Sequence, residues 1–311
     1  MKGVNARLSG MMFLQFFIWG AWYTTIAVYM TNQGMGTLTH WPFTVNPIAA
    51  IAAPFFVGLV ADRFFATERV FGILHLLGGV LLLAAPQTSD SPTLFISMLL
   101  LYNLCYMPTI SLSNSLAFHN IADQEKQFPR IRVWGTIGWI IAGLFISFGL
   151  AGFVSGARPE QTPMPLYTAG IASLLLAIFS LTLPHTPPPA RGQVVSARSV
   201  IGLDAFQQLG SRPFYVFIVS ALLLCIPLAA YYNFTQLYLE TARVRNIAAT
   251  QTLGQMSETL FMFAMPFLFA RWGVKRMLLA GMAAWVLRYL LFAAGAPDAV
   301  YWMIVLGILL H

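Results

Sequence analysis

Long apolar runs parted by short polar turns organise this chain. Ten runs are legible, near 9–30, 46–64, 69–86, 92–118, 130–153, 165–183, 213–238, 250–270, 274–294 and 298–311. A helix needs about 20 mainly apolar residues to cross a bilayer core. Most of the runs approach that length, so the pattern predicts an all-α polytopic membrane protein. Pro54, Pro108 and Pro266 lie inside runs without ending them, because neighbouring helices in a membrane can satisfy the backbone groups that a proline frees. The N-terminal residues lead into an apolar stretch too long for a signal-peptide core, with no clear small-residue cleavage site. It reads as the first spanning helix, kept in the mature protein.

The basic residues give the runs a direction. With the N-terminus in the cytoplasm, the inner segments hold Lys2, Arg7, Arg63, Arg69, Lys126, Arg130, Arg132, Arg191, Arg198, Arg212, Arg271, Lys275 and Arg276. The outer turns hold Arg158, Arg243 and Arg245, and Arg288 lies within the ninth run. Thirteen against three matches the positive-inside bias, which one missed helix would scramble.

The longest polar stretch, 184–212, is rich in proline and carries Arg191, Arg198 and Arg212. It reads as a cytoplasmic linker between a six-helix bundle at 1–183 and an incomplete bundle at 213–311 that holds helices 7–10. Six helices, a long inner loop and more helices is the layout of a two-bundle transporter. A weak echo agrees with parallel halves: Gly58-Leu-Val-Ala-Asp62-Arg63 after the second run, and Ala270-Arg271-Trp-Gly-Val-Lys275-Arg276 after the eighth. Any tight inner turn attracts basic residues, so chance also produces such an echo. The tenth run stops at His311, short of the length needed to cross. The expectation is a truncated sequence, lacking the rest of that helix and two more.

Composition narrows the class. Only 9% of residues are charged and 58% are hydrophobic; a soluble domain carries about 25% charged residues. The net charge of +7 resides in turns between apolar runs, which argues against a nucleic-acid partner and for a lipid bilayer. Cys105 and Cys225 lie inside apolar runs and read as small buried hydrophobes. His40, His75, His119 and His185 read as loop or helix-end residues, and no two of the five histidines have metal-ligand spacing. No nucleophile elbow, zinc-binding His-Glu pair or phosphate loop is present. No enzyme chemistry, cofactor or metal is expected.

Ionisable groups within spans mark function by default. Nine of the ten acids lie in loops or at helix ends, and only Glu258 sits near the middle of a run. Gln251, Gln255 and Glu258 share a helical face (i, i+4, i+7). That stripe is either a substrate or proton site or an interhelical hydrogen-bonding cluster. Arg132, Thr136 and Trp139 have the same spacing in the fifth run, where Pro129 suits a helix start. A cation, a hydroxyl and a flat ring suit a ligand with hydroxyls and a planar base; the alternative is that Arg132 snorkels to the interface. Gln15, Trp19 and Trp22 share a face in the first run and read first as interfacial aromatics. Asn103, Tyr106, Thr109 and Asn114 make the fourth run polar. Arg288 either pairs or snorkels outward.

Several stretches together resemble the nucleoside:proton symporter family of the major facilitator superfamily, the bacterial nucleoside permeases. They are Phe13-Leu-Gln-Phe-Phe-Ile-Trp-Gly-Ala-Trp22, Tyr106-Met-Pro-Thr109, Arg132-Val-Trp-Gly-Thr-Ile-Gly138, Thr182-Leu-Pro-His185, Ser257-Glu-Thr-Leu-Phe261 and Trp285-Val-Leu-Arg288. The resemblance implies the major facilitator fold, two six-helix bundles, of which ten of twelve helices fall in this sequence. It implies a monomer in a bacterial inner membrane that imports a nucleoside with a proton. Its substrate-binding positions correspond to Arg132, Thr136, Trp139, Gln255 and Glu258, with Glu258 also the proton-coupling candidate. The family's seventh-helix glutamine and asparagine fall on Pro227 and Ala230, beside Tyr231, Tyr232 and Asn233, so base recognition departs from the familiar members. The tenth-helix tyrosine position falls on His311. Rival readings are a major facilitator for another polar solute, such as a sugar, a membrane-embedded enzyme, or a sensor that binds without transporting.

Overall fold

The computed structural model describes residues 2–63, 65–154, 156–188, 211–296 and 298–311. Most of the linker expected at 184–212, with Arg191 and Arg198, lies outside the described residues. Among the described residues there are helices and turns and no strand. The helices are α1 (Lys2–Tyr23), α2 (Ile26–Asn32), α3 (Trp41–Arg63), α4 (Thr67–Ala84), α5 (Pro92–Asn120), α6 (Gln124–Leu144), α7 (Met164–Ser180), α8 (Arg212–Thr241), α9 (Ile247–Gly295) and α10 (Tyr301–Leu309).

Each of the ten apolar runs carries helix. The first is broken into α1 and α2 at Thr24–Thr25. The eighth and ninth form α9, whose backbone turns at Gly273 with φ 69° and ψ 170°. A side chain would be strained at that φ, so glycine sits where the chain reverses. Pro108 and Pro227 pass through α5 and α8 without ending them. Pro129 does not start a helix. α6 begins earlier, at Gln124, where the Asp123 carboxylate caps it by accepting from the Lys126 backbone N–H at 3.0 Å. Among the described residues, six helical segments are long and apolar enough to cross a membrane; α7, with 17 residues, is too short to be counted with them. Many large apolar side chains of α8 and α9 are exposed, Leu222, Ile226, Leu260 and Phe263 among them. Lipid covers such a surface without the penalty it meets in water.

Hydrogen bonds gather the turns into two ends. At one end Arg7 donates to Thr182 O, Thr67 N to Thr186 O, and Asn120 to the Thr186 hydroxyl. At the other, Tyr29 meets Ser89, and Asn32 donates to Gln161 O. Successive turns thus gather at opposite ends of the helices.

The largest apolar cluster is built mainly from α1–α7, and a smaller one from α8–α10 with Val28. Glycine sets the spacing of α1 and α6. A Cβ on Gly138 would overlap the Phe13 carbonyl, and one on Gly20 would lie 3.0 Å from the Trp139 ring. Small residues let membrane helices approach this closely. The Trp-Gly-Thr-Ile-Gly sequence of α6 therefore presses that helix onto α1.

The two groups of helices meet at the Tyr29–Ser89 end. The break at Thr24–Thr25 strips α1 of its last hydrogen-bond acceptances and α2 of its first donations. Gln236 of α8 fills the gap, donating to Tyr23 O at 2.6 Å and accepting from Ala27 N at 3.0 Å. Gln251 of α9 donates to Thr24 O at 2.9 Å. Beside them α6 ends in a π turn, Phe145–Gly149, that presents Ser147. Its hydroxyl donates to Glu160 at 2.7 Å and accepts from Ala249 N at 3.0 Å. Arg158 forms an ion pair with Glu240 and donates to Val244 O at 3.0 Å. Among the described residues, every hydrogen bond joining α1–α7 to α8–α10 lies at this end.

Two outcomes are expected. Gly138→Ala should destabilise the protein by about 1–3 kcal/mol through overpacking. Gly281→Ala, where a Cβ meets nothing within 4 Å, should not. Denaturant unfolding in detergent compares them, and equal curves would count against the close approach. Gln251→Leu should cost about 1–3 kcal/mol by leaving the Thr24 carbonyl buried and unpaired. It should also make a cysteine at Thr25 reactive to a polar thiol reagent. A cysteine that stays protected in both backgrounds would contradict the seal.

Candidate functional site

Polar positions predicted on separate helices come together at one cavity of about 340 Å³ between the two groups of helices. α6 contributes Arg132, Thr136 and Trp139, and α9 contributes Gln255 and Glu258. The i, i+4, i+7 spacing aims the α6 set in one direction, and the glycines that seat α6 against α1 fix how deep it lies. All five predicted residues line the cavity. Gln251, on the same stripe, does not; it holds the Thr24 carbonyl. The two readings of that stripe thus divide by residue, with a hydrogen bond between helices at one end and a polar wall at the other.

Arg132 lines the cavity. It is half-buried, with its guanidinium carbon 4.0 Å from the centre of the Phe16 ring. That cation–π contact partly compensates for lost hydration. Among the described residues Arg132 and Glu258 form no ion pair within 4 Å, although both line the same cavity. Glu258 is exposed to the cavity space, and no protein donor among the described residues occupies its carboxylate. A charge pair held apart leaves room between its members for a polar guest.

Aromatic rings form the rest of the wall. Phe16, Trp19 and Tyr23 of α1 and Tyr232 of α8 join Trp139. Trp19 meets Trp139 edge-on at 5.4 Å, and Tyr23 lies 5.7 Å from Tyr232, so rings from both halves touch. The interfacial reading of the first run fails here: Trp22 is buried in the core at 1% exposure, and Trp19 lines the cavity. Two polar atoms of this wall, Trp19 Nε1 and Gln255 Oε1, are buried without a hydrogen-bond partner among the described residues. Asn46 completes the lining, donating to Asn103 Oδ1 at 3.0 Å. Asn46, Tyr23 and Tyr232 were not singled out as site residues from the sequence. Tyr232 was visible only as a neighbour of the departing seventh-helix positions.

A polar network supports α1 from behind. His75 is not at a helix end but in the middle of α4, 1% exposed. Its Nε2 donates to Gln15 Oε1 at 2.7 Å, Gln15 donates to the Thr109 hydroxyl at 2.8 Å, and Tyr106 donates to Gln15 O at 2.5 Å. These bonds fix the rotation of α1, and so the direction of Trp19. Among the described residues Arg288 pairs with no acid, and it does not snorkel outward. It is fully buried between the rings of Tyr231, at 4.4 Å, and Trp285, at 4.3 Å. Its Nε donates to Gly307 O at 3.1 Å, while both terminal nitrogens lack a hydrogen-bond partner among the described residues. The described residues contain no cluster of potential metal ligands.

Comparison with known proteins gives this geometry its context. The chain matches the family described as "Nucleoside H+ symporter" over residues 1–311. It is 41% identical to YegT of Escherichia coli (strain K12) over 311 residues, which cover 99% of this chain and 72% of YegT. It is 34% identical to the xanthosine permease of the same organism over 320 residues, covering 97% of this chain and 74% of the permease. Among solved structures, a mutant of the nucleoside transporter NupG superposes with a TM-score of 0.87 at 30% identity, covering 99% of this chain and 78% of that one. The fold is that of a major facilitator transporter, and the chain belongs to the nucleoside H+ symporter family.

Proposed function

We propose that this protein imports nucleosides across the cell membrane by symport with protons. The observation that carries the reading is the separated pair of Arg132 and Glu258 facing one aromatic-walled cavity, in a chain of this family. A nucleoside has a flat base and a ring of hydroxyls. Trp139 offers the base an aromatic face, and ribose hydroxyls can donate to the Glu258 carboxylate and bond the Gln255 amide. Arg132 and Thr136 supply donors to base or sugar oxygens. No cofactor is needed for any of these contacts.

Glu258 is also the group we assign to the coupled proton. A carboxyl can bind a proton on one side and release it on the other, which a fixed cation cannot. The transport cycle rocks a six-helix bundle, 1–183, against the bundle that begins at 213, with 184–212 as the cytoplasmic linker. We take the N-terminus as cytoplasmic and the membrane as a bacterial inner membrane, with the monomer as the working unit. The end sealed by Gln236, Gln251 and Arg158 is then the outer one, and the conformation described opens inward.

The primary test is uptake of labelled nucleoside by proteoliposomes under an imposed proton gradient. Accumulation that collapses with a protonophore is expected. Accumulation of sugars in its place, or an altered product inside the vesicles, would overturn the reading. Within the site, Arg132→Ala should nearly abolish nucleoside binding. Trp139→Ala should weaken it by about 1–3 kcal/mol, the range for losing an aromatic stacking partner, and Trp139→Phe should restore most of that. Unchanged affinity in Arg132→Ala and Trp139→Ala, measured by calorimetry, would remove α6 from the site. Glu258→Gln should bind more weakly and still exchange nucleoside across the membrane, yet fail to accumulate it against a gradient. Uphill accumulation by that variant would strip Glu258 of the proton role.

A further inference from the structure

A second cavity, of about 580 Å³, opens on the side of α4 and α7 and shares no residue with the first. On α4 it is lined by Arg69, Gly72, Ile73 and Leu76, which fall at i, i+3, i+4 and i+7 on one face. At 1.5 Å per residue that face is about 10 Å long. Small residues make its floor. Gly72 approaches Ser180 so closely that an added Cβ would overlap the serine hydroxyl. That hydroxyl donates to Ala177 O at 2.6 Å, so it presents no unmet donor to the groove. The walls are apolar and open: Ile73, Leu76, Ile178 and Leu181 are all exposed.

Arg69 stands at one end of this trough. It is exposed, and its side chain makes no hydrogen bond or ion pair among the described residues. The nearest acid in sequence, Glu68, is committed elsewhere: one oxygen meets His185 Nδ1 at 2.8 Å and the other accepts from Thr186 N at 3.0 Å. The Thr182 carbonyl, at the end of α7, already accepts from Arg7. The groove therefore joins an uncommitted cation to an apolar channel on the face of a membrane protein. Arg69 also lies at the end that carries most of the basic residues, which the positive-inside bias assigns to the cytoplasm. Anionic lipid is enriched in that leaflet.

We propose that this groove is a binding site for an anionic phospholipid, with its phosphate on Arg69 and one acyl chain lying between α4 and α7 over Gly72. The acyl chain fills a channel lined by four apolar side chains, and the charge distinguishes an anionic headgroup from a zwitterionic one.

Native mass spectrometry of the detergent-purified protein can test this. The probe is an equimolar mixture of phosphatidylglycerol and phosphatidylcholine with the same acyl chains. The wild-type protein should retain phosphatidylglycerol preferentially. Arg69→Gln should reduce that preference by about fivefold, the effect of one basic side chain at an anionic surface. It should lower phosphatidylcholine retention less, because choline already offsets that lipid's phosphate, and leave nucleoside binding unchanged. Ile178→Trp, which fills the groove, should lower retention of both lipids. A wild-type protein without preference, or a preference that persists in Arg69→Gln, would overturn the proposal.

Discussion

Inside a bilayer no water is available to a backbone group that a helix has released, and this structure is arranged around one such release. The first span breaks at Thr24–Thr25, freeing carbonyls at Tyr23 and Thr24 and an amide at Ala27. Their partners are two glutamines from the other half of the chain, Gln236 and Gln251. A break that would be unaffordable alone becomes a joint between the halves. It also swings Tyr23 to the place where α1, α6 and α8 meet, so that one device closes an end of the protein and shapes the wall of its cavity.

The cavity depends equally on what is missing from α6. Gly138 brings that helix onto α1, and Gly135 leaves the space that Phe16 and Arg132 share. Arg132 can remain charged in such a place because the Phe16 ring takes up part of its field. A bulkier α6 would stand further out and lose both the ring contact and the alignment with Glu258. The polar chemistry of the site and the packing of its helices are therefore one problem, solved by the same seven residues from Arg132 to Gly138.

Some of this was legible in the sequence and some was not, for identifiable reasons. Charge is so rare within the spans that Glu258 and Arg132 stood out, and helical spacing gave their neighbours Gln255, Thr136 and Trp139. The apolar runs gave the helices themselves. His75 was misjudged because its run shows only an isolated histidine; Gln15 and Ser173, which hold it, come from the first and sixth runs. Gln251 and Gln255 look alike in sequence, and only the break in α1 decides which of them is consumed by backbone. Trp19 and Trp22 differ by less than one turn, yet one lines a cavity and the other fills a core. In each case the deciding partner is distant in the chain, and periodicity on a single helix carries no information about it.

Arg288 has a consequence of another kind. Its charge is clamped between two rings and buried from every side, so it travels with its helix and cannot be left behind at the surface. Any motion of that helix along the membrane normal carries a full elementary charge through the electric field of the cell. A complete crossing is worth about 2.3 kcal/mol for each 100 mV, and a partial displacement a proportionate share. A conformational change would therefore carry a voltage term only to the extent that it displaces Arg288 along that direction.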